Sequence, residues 1–348
     1  ISLGTPIAME SVLLQGGMLL VQIYLAKLTT MEIAAYAVAN SLITVYYIPG
    51  DTLVTLSGTV CGQCIGANRF DDARRYCRNF IRIGRVILLL TVMADLKVVS
   101  VYSMYTTFYT IIKSILNIIS YSYSYALGQI FHADKEKFKR LHDVYEAYNM
   151  SLTFSFICIL NLFILPFIRI YTSGVTDISY VDPYLPVLFT TVYLLSNGRA
   201  SSGLIIDFAE HFQQTKGRAI LESAMNIIVS IVAIHYIGIY GALLGTIAAL
   251  LYRANDMIIY ANRLHRRSPW ITYKRWLINL GLFFAVTFLV KRILPPMESL
   301  WTVILYGVIA CAVIIPLFLA ADSLCEMKTA KYAFGLLRAG RKGKDATT

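Results

Sequence analysis

Apolar runs long enough to cross a bilayer recur along almost the whole chain, with short polar connections between them. A transmembrane helix needs about 20 consecutive, mostly apolar residues. A buried strand of a soluble α/β protein shows runs of only about 4–8 between turn signals. Ten runs of the longer kind can be drawn, over residues 5–28, 34–60, 81–97, 102–131, 147–170, 184–209, 218–236, 239–261, 274–294 and 299–321. The charged fraction of 15% is well under the roughly one quarter of an ordinary soluble domain. The expectation is an all-α, polytopic membrane protein of about ten transmembrane helices, since a helix satisfies its own backbone in hydrocarbon. The third run is the weakest, with Asp95 and Lys97 crowding its end. The fourth carries Tyr102, Tyr105, Tyr109, Tyr121, Tyr123 and Tyr125, which predicts an amphipathic wall rather than lipid contact all round.

Charge in the connections orients the runs. Arg69, Arg74, Arg75, Arg78, Arg82 and Arg85 follow the second, and Lys135, Lys137, Lys139 and Arg140 the fourth. Lys216 and Arg218 follow the sixth, and Arg263, Arg266, Arg267, Lys274 and Arg275 the eighth. The last run leads into Lys328, Lys331, Arg338, Arg341, Lys342 and Lys344, whereas the alternate connections hold only Lys97, Lys291 and Arg292. By the positive-inside rule the basic connections are cytoplasmic, as are both ends of this chain. The formal charge of +11 is then mostly loop charge facing anionic head groups. The bilayer is the expected partner. Nucleic acid is not, because no stretch is long enough to fold as a soluble module that displays the charge.

The six cysteines are scattered, and most lie in or beside apolar runs, as small core residues do. Cys61 and Cys64 form a lone CxxC without a second pair or a His at zinc spacing, so no metal is expected. Nor is an enzyme expected: there is no phosphate-cradling Gly loop, no paired-acid site and no His cluster. A membrane glycosyltransferase would need a large outer loop with catalytic carboxylates. The longest here, "YTSGVTDISYVDP", offers Asp177 and Asp182, which read as turn and capping residues.

An ionisable side chain costs about 2.5–3.5 kcal/mol or more at the bilayer centre and so faces a cavity or a partner. Glu10, Asp51, Lys113, Arg199, Asp207, Glu210, Glu222, Arg253 and Asp256 are the candidates. Arg253 and Asp256 are three apart, share a helix face and are placed to neutralise each other. Glu210 and Glu222, near helix ends, read as solvated or capping groups. Asp51 follows Pro49 and Gly50, a pair that bends or breaks a helix, and broken helices mark transport pathways as well as plain kinks. Arg199 lies in the polar, small-residue stretch "LLSNGRASSG", which belongs against protein or water. Lys113 is too deep for easy snorkelling. Cations at these depths suit an anionic group such as phosphate or pyrophosphate; the plainer alternative pairs each with Asp207 or another acid.

Two stretches resemble two branches of the multidrug/oligosaccharidyl-lipid/polysaccharide exporter superfamily. Residues 3 to about 85, with "LGTPIAMESVLLQGGMLLVQ", "IAAYAVANS", "IPGD" and "CGQCIGANRFDDARR", resemble the multidrug and toxin extrusion branch, at the start of its second lobe. From about residue 92, "LKVVSVYSMY", "KEKFKRLHDVYE", "LPFIRIYTSGVTDISYVDP", "HFQQTKGRAILESAMNIIVSI" and "GIYGALLGTIAALLYRANDMIIYANR" resemble a polysaccharide (O-antigen type) flippase. Glu210 departs from the pattern, standing where that branch usually has Gly before the His of "HFQQT"; this predicts disturbed packing at the cytoplasmic end of the sixth run.

The resemblance implies a two-helix segment over 1–90, a flippase-type lobe over 91–262, two further helices over 263–322 and a basic tail over 323–348. It also implies alternating access in a bacterial inner membrane, with a lipid-linked oligosaccharide as substrate, no cofactor, and H⁺ or Na⁺ coupling. Lys113, Arg199 and Arg253 are then the candidate substrate-binding cations, on depth and charge alone. Glu10, Asp51, Asp207 and Asp256 are the candidate cation-coupling acids. The competing expectation is a cation-coupled multidrug exporter with a carboxylate-lined cavity. The change of branch near residues 85–95 fits a composite, misassembled or engineered sequence, and the expected missing partner is a first lobe to rock against.

Overall fold

A computed structural model describes residues 53–54, 56–92, 96–173 and 179–345. The two runs expected over 5–28 and 34–60 lie mostly outside these residues, and Glu10 and Asp51 lie wholly outside them. Residues 56–66 are helical, and ten helices follow: α1 (Phe70–Val92), α2 (Leu96–Phe131), α3 (Lys135–Tyr171), α4 (Leu185–Gly198), α5 (Ala200–Phe208), α6 (Phe212–Ile237), α7 (Ile239–Leu264), α8 (Trp270–Ile293), α9 (Leu300–Cys325) and α10 (Met327–Asp345). No strand occurs among the described residues. Five helices (α3, α6, α7, α8 and α9) are long and apolar enough to cross a membrane. The all-α expectation holds.

The described residues fall into two compact units. The first ends at Met104 and takes in the start of the connection after Ile170. In it Cys61 comes within 3.1 Å of Cys77. Both are free thiols, brought together because the turn between residues 66 and 70 folds one helix back beside the next.

The second unit holds most of α2 and α3 and everything from Ser179 on. Leu127, Phe138, Tyr145, Ile205, Ile206 and Ala261 form a core where α2, α3, α5 and α7 meet. On α2, Tyr105 and Tyr109 near the start are fully buried while Tyr121, Tyr123 and Tyr125 farther along are exposed, so the tyrosines divide along the helix and not between two faces. Tyr105 Oη accepts from the Asp182 N–H at 2.9 Å. Asp182 Oδ1 in turn accepts from the N–H groups of Tyr184 (2.8 Å) and Leu185 (3.2 Å), starting α4 as its capping reading requires.

Two helices depart from their expected extents. α3 starts at Lys135, not near 147, because Asp134 Oδ1 accepts the Lys137 N–H at 2.9 Å and Glu136 sits in the first turn. Its 37 residues rise roughly 55 Å at 1.5 Å each, far beyond a hydrocarbon core of about 30 Å. The "KEKFKRLHDVYE" segment is therefore a helical extension and not a loop. The sixth run is broken: α4 stops at Gly198 and α5 resumes at Ala200, with Arg199 between them at φ −87°, ψ −9°.

Three turns end in left-handed residues other than glycine: Asn68, Glu210 and Arg266, at φ 56°, 55° and 52°. Each closes the same double hydrogen bond, for example His211 N–H to Ile206 C=O (3.1 Å) with Glu210 N–H to Asp207 C=O (3.0 Å). Glu210 is exposed and its turn is closed by regular backbone bonds, so a glycine there would relieve the left-handed conformation. A side chain there costs about 1 kcal/mol. Glu210→Gly is expected to raise stability by up to that amount, read as a higher unfolding midpoint in detergent; an unchanged or lower midpoint would count against it.

Candidate functional site

The break at Arg199 positions the first cluster. There Arg199 Nη1 reaches Glu222 Oε1 of α6 at 2.7 Å. Arg253 of α7, only 7% exposed, meets Glu222 Oε2 through Nε at 3.3 Å and Asp256 Oδ2 through Nη1 at 2.7 Å. Arg218 closes the ladder on Asp256 Oδ1 at 2.9 Å and lies over the Tyr260 ring, 4.6 Å from its centre. Three guanidinium groups thus share two carboxylates, a surplus of one positive charge. Beside them lies a cavity of about 680 Å³, lined among others by Asp207, Lys216, Ser223 and Arg253.

The sequence-predicted residues separate accordingly. Arg199, Arg253 and Asp256 come together, and Arg253 and Asp256 do neutralise each other. Asp207 and Lys216 are exposed on the cavity wall, with no salt bridge among the described residues. Lys113 is exposed on α2, also without one. Glu222 corrects its reading as a solvated group: α6 lies against α7, which sets it between Arg199 and Arg253.

A second cluster was not foreseen. Along α3, His142, Glu146, Asn149 and Thr153 are all buried. Their spacing of three or four residues makes one polar stripe inside an apolar helix. Glu146, with no side-chain exposure, takes Arg267 Nη2 at 2.5 Å, Thr272 Oγ1 at 2.8 Å and a short contact from Arg275 Nη1. Arg267 also pairs with Asp143. Arg275 grips Glu326 with two parallel bonds, Nε to Oε1 at 2.8 Å and Nη2 to Oε2 at 2.6 Å. Arg267 and Arg275 are therefore not solvated loop charge, as their place in the basic connection implies, but buried ion-pair partners.

Burial pushes the Glu326 carboxyl up, but the paired Arg275 guanidinium outweighs it and holds the group below its usual range. His265 stacks on Phe138. Burial first, then the neighbouring His142 and Arg267, push it down to about 4, so it is neutral near pH 7. The signal for this cluster was in the sequence as four polar residues in register across "HDVYEAYNMSLT".

Residues 6–96 match the family model MatE. Neither the search of curated proteins nor that of solved structures returned a match. The matched segment is a minority of the 348 residues, and it supports the multidrug/oligosaccharidyl-lipid/polysaccharide exporter superfamily, whose members are transporters. The five apolar helices of spanning length among the described residues are those of a multi-pass membrane protein, and the matched segment resembles a family of transporters.

Proposed function

We propose that the protein carries an amphiphile with an anionic head group, a lipid-linked oligosaccharide bearing pyrophosphate, across the bacterial cytoplasmic membrane. The observation that supports this is the surplus cation at the broken helix, where Arg199, Arg218 and Arg253 outnumber Glu222 and Asp256 beside a cavity. Guanidinium groups offer forked donors that match pyrophosphate oxygens. They are already held in place by carboxylates, so little side-chain entropy is lost when an anion replaces one carboxylate contact.

A fluorescent prenyl pyrophosphate tests this with the purified protein in detergent. The double variant Arg199→Gln with Arg218→Gln turns the surplus of one positive charge into a deficit of one, while Arg253 still reaches both acids. Binding is expected to weaken at least about tenfold, the scale of one lost charged hydrogen bond. Inorganic pyrophosphate should compete.

A second reading is cation-coupled drug efflux, supported by the MatE match and by Asp207 facing the cavity without a salt bridge among the described residues. On that reading ethidium binds, Asp207→Asn abolishes its binding, and the prenyl pyrophosphate is indifferent to the arginine variants. That set of results would replace the first proposal.

A further inference from the structure

The carboxyl of Asp322, near the end of α9, is 3% exposed, yet it pairs with no cation within salt-bridge distance among the described residues. Its partners are neutral. Asn279 Nδ2 of α8 donates to Oδ2 at 2.9 Å, and Ser151 Oγ of α3 donates to the same oxygen in a short contact. An isolated buried carboxylate is costly enough that the group takes up a proton or a counter-ion instead.

The surroundings add to that cost. Groups near this end of α9 are Glu146 and Tyr148 from α3, Arg275 from α8 and Glu326 just past α9, while α10, which also packs on α9, brings Lys328 and Lys331, both exposed. In the ion-pair network beside it, Arg267 and Arg275 face Asp143, Glu146 and Glu326, which already leaves one negative charge over. The guanidinium of Arg275 is shared among Glu146, Glu326 and Asp143. An ionised Asp322 would be a second uncompensated negative charge. Asn279 bridges the two sets, since its Nδ2 also donates to the Arg275 carbonyl at 3.0 Å.

The neighbouring amide carries the second observation. Asn279 is 1% exposed, and its Oδ1 is buried without a hydrogen-bond partner. An amide has donors at one end and an acceptor at the other. Its Nδ2 donates to Oδ2 of Asp322 as well as to the Arg275 carbonyl, and the first bond serves an ionised carboxylate and the carbonyl oxygen of a protonated carboxyl alike. The site suits both protonation states, and it lacks the ring of oxygen ligands that a metal ion needs.

We propose that Asp322 is a proton-binding carboxyl, held by Ser151 and Asn279 and protonated at neutral pH, which takes up and releases its proton beside the buried ion-pair network. The neighbouring Ser323 hydrogen-bonds Tyr148 at 3.0 Å, and both line a cavity of about 920 Å³ walled by α2, α3, α9 and α10. The proposal is independent of which substrate the arginine cluster takes.

Infrared difference spectroscopy of the whole protein in detergent tests it. At pH 7 without sodium, the spectrum should hold a protonated carboxyl C=O band that is lost in Asp322→Asn. Unfolding at pH 7 should release about one proton fewer from that variant than from the parent, measured with an indicator dye. Ser151→Ala keeps the carboxyl and removes one donor, so the band should move to higher frequency, which keeps the test open if Asp322→Asn does not fold. A band untouched by either substitution overturns the proposal. So does a band that vanishes on adding millimolar sodium at pH 7, which would make the site a cation site.

Discussion

Replacing Glu146 by glutamine is expected to destabilise the protein by about 3–5 kcal/mol, the scale for removing one partner of a buried pair. Four donors converge on its carboxylate, from Arg267, Arg275, Thr272 and, at 3.5 Å, Ser201, and the side chain is completely inaccessible. The amide has the same shape but no charge, and its NH₂ end would point at cationic donors. Arg275 would keep Glu326 and Arg267 would keep Asp143, but both guanidinium groups would lose the one fully buried carboxylate that joins them. The loss falls where three helices are joined, since Glu146 lies on α3, Arg275 on α8 and Glu326 beyond α9.

A control sits on the same helix. Lys139 and Glu136 form an exposed pair at 3.2 Å, and Glu136→Gln should cost no more than about 0.5 kcal/mol. Thermal or denaturant unfolding in detergent micelles reads both. Equal midpoints for the two variants would show that the Glu146 network contributes no more than a surface pair, and the account of how α3 is anchored would fail.

The fold was readable from the sequence where hydrophobic run length decides it, because the bilayer admits few solutions for the backbone. α8 and α9 show this: the expected starts at 274 and 299 lie close to Trp270 and Leu300. At α9 the start is fixed locally, by Ser299 Oγ accepting the Trp301 N–H at 3.3 Å. The break at Arg199 was not readable as a break, although its polar stretch was singled out, because no proline marks it. Instead the bond from Arg199 to Glu222 lies across to another helix.

Charge was harder to place. Arg267 and Arg275 look like any other basic residue of a connection, and only the extension of α3 past the expected boundary brings Glu146 beneath them. Asp322 was missed for the same reason, since its partners Ser151 and Asn279 are far away in sequence. Arg253 and Asp256 were legible because their partnership is local, three residues apart on one helix.

The second large effect is expected at Gly241 and Gly245 of α7. α6 exposes Ile220, Ile227, Ile228, Ile231 and Val232 and rests chiefly on α7, so the contact between the two sets where α6 stands. Small residues four apart let two helices approach closely where no hydrophobic force drives them together. A Cβ on Gly241 would meet the Ala233 carbonyl carbon and the Ile234 nitrogen at 2.3 Å. On Gly245 it would lie 2.1 Å from Ser230 Oγ and 2.6 Å from Ser230 N. Apart from Ser230 Oγ these obstacles are backbone, which cannot rotate away, so the helices themselves must separate.

Gly241→Ala and Gly245→Ala are each expected to cost about 1–3 kcal/mol, and the pair should not add, because both push on one interface. Gly281 and Gly307 are the contrast. A Cβ there meets nothing within 4 Å, so alanine should be neutral or stabilising by up to about 1 kcal/mol. Unfolding midpoints of the four single variants decide the matter by sign: a common loss at all four would point to glycine chemistry in general and not to helix approach. The effect should reach the cationic cluster too. Arg218 and Glu222 ride on α6 while Arg253 and Asp256 ride on α7, so a widened hairpin pulls the 2.9 Å and 3.3 Å contacts apart. Binding of the prenyl pyrophosphate should therefore weaken in Gly241→Ala and Gly245→Ala and stay unchanged in the Gly281 and Gly307 variants.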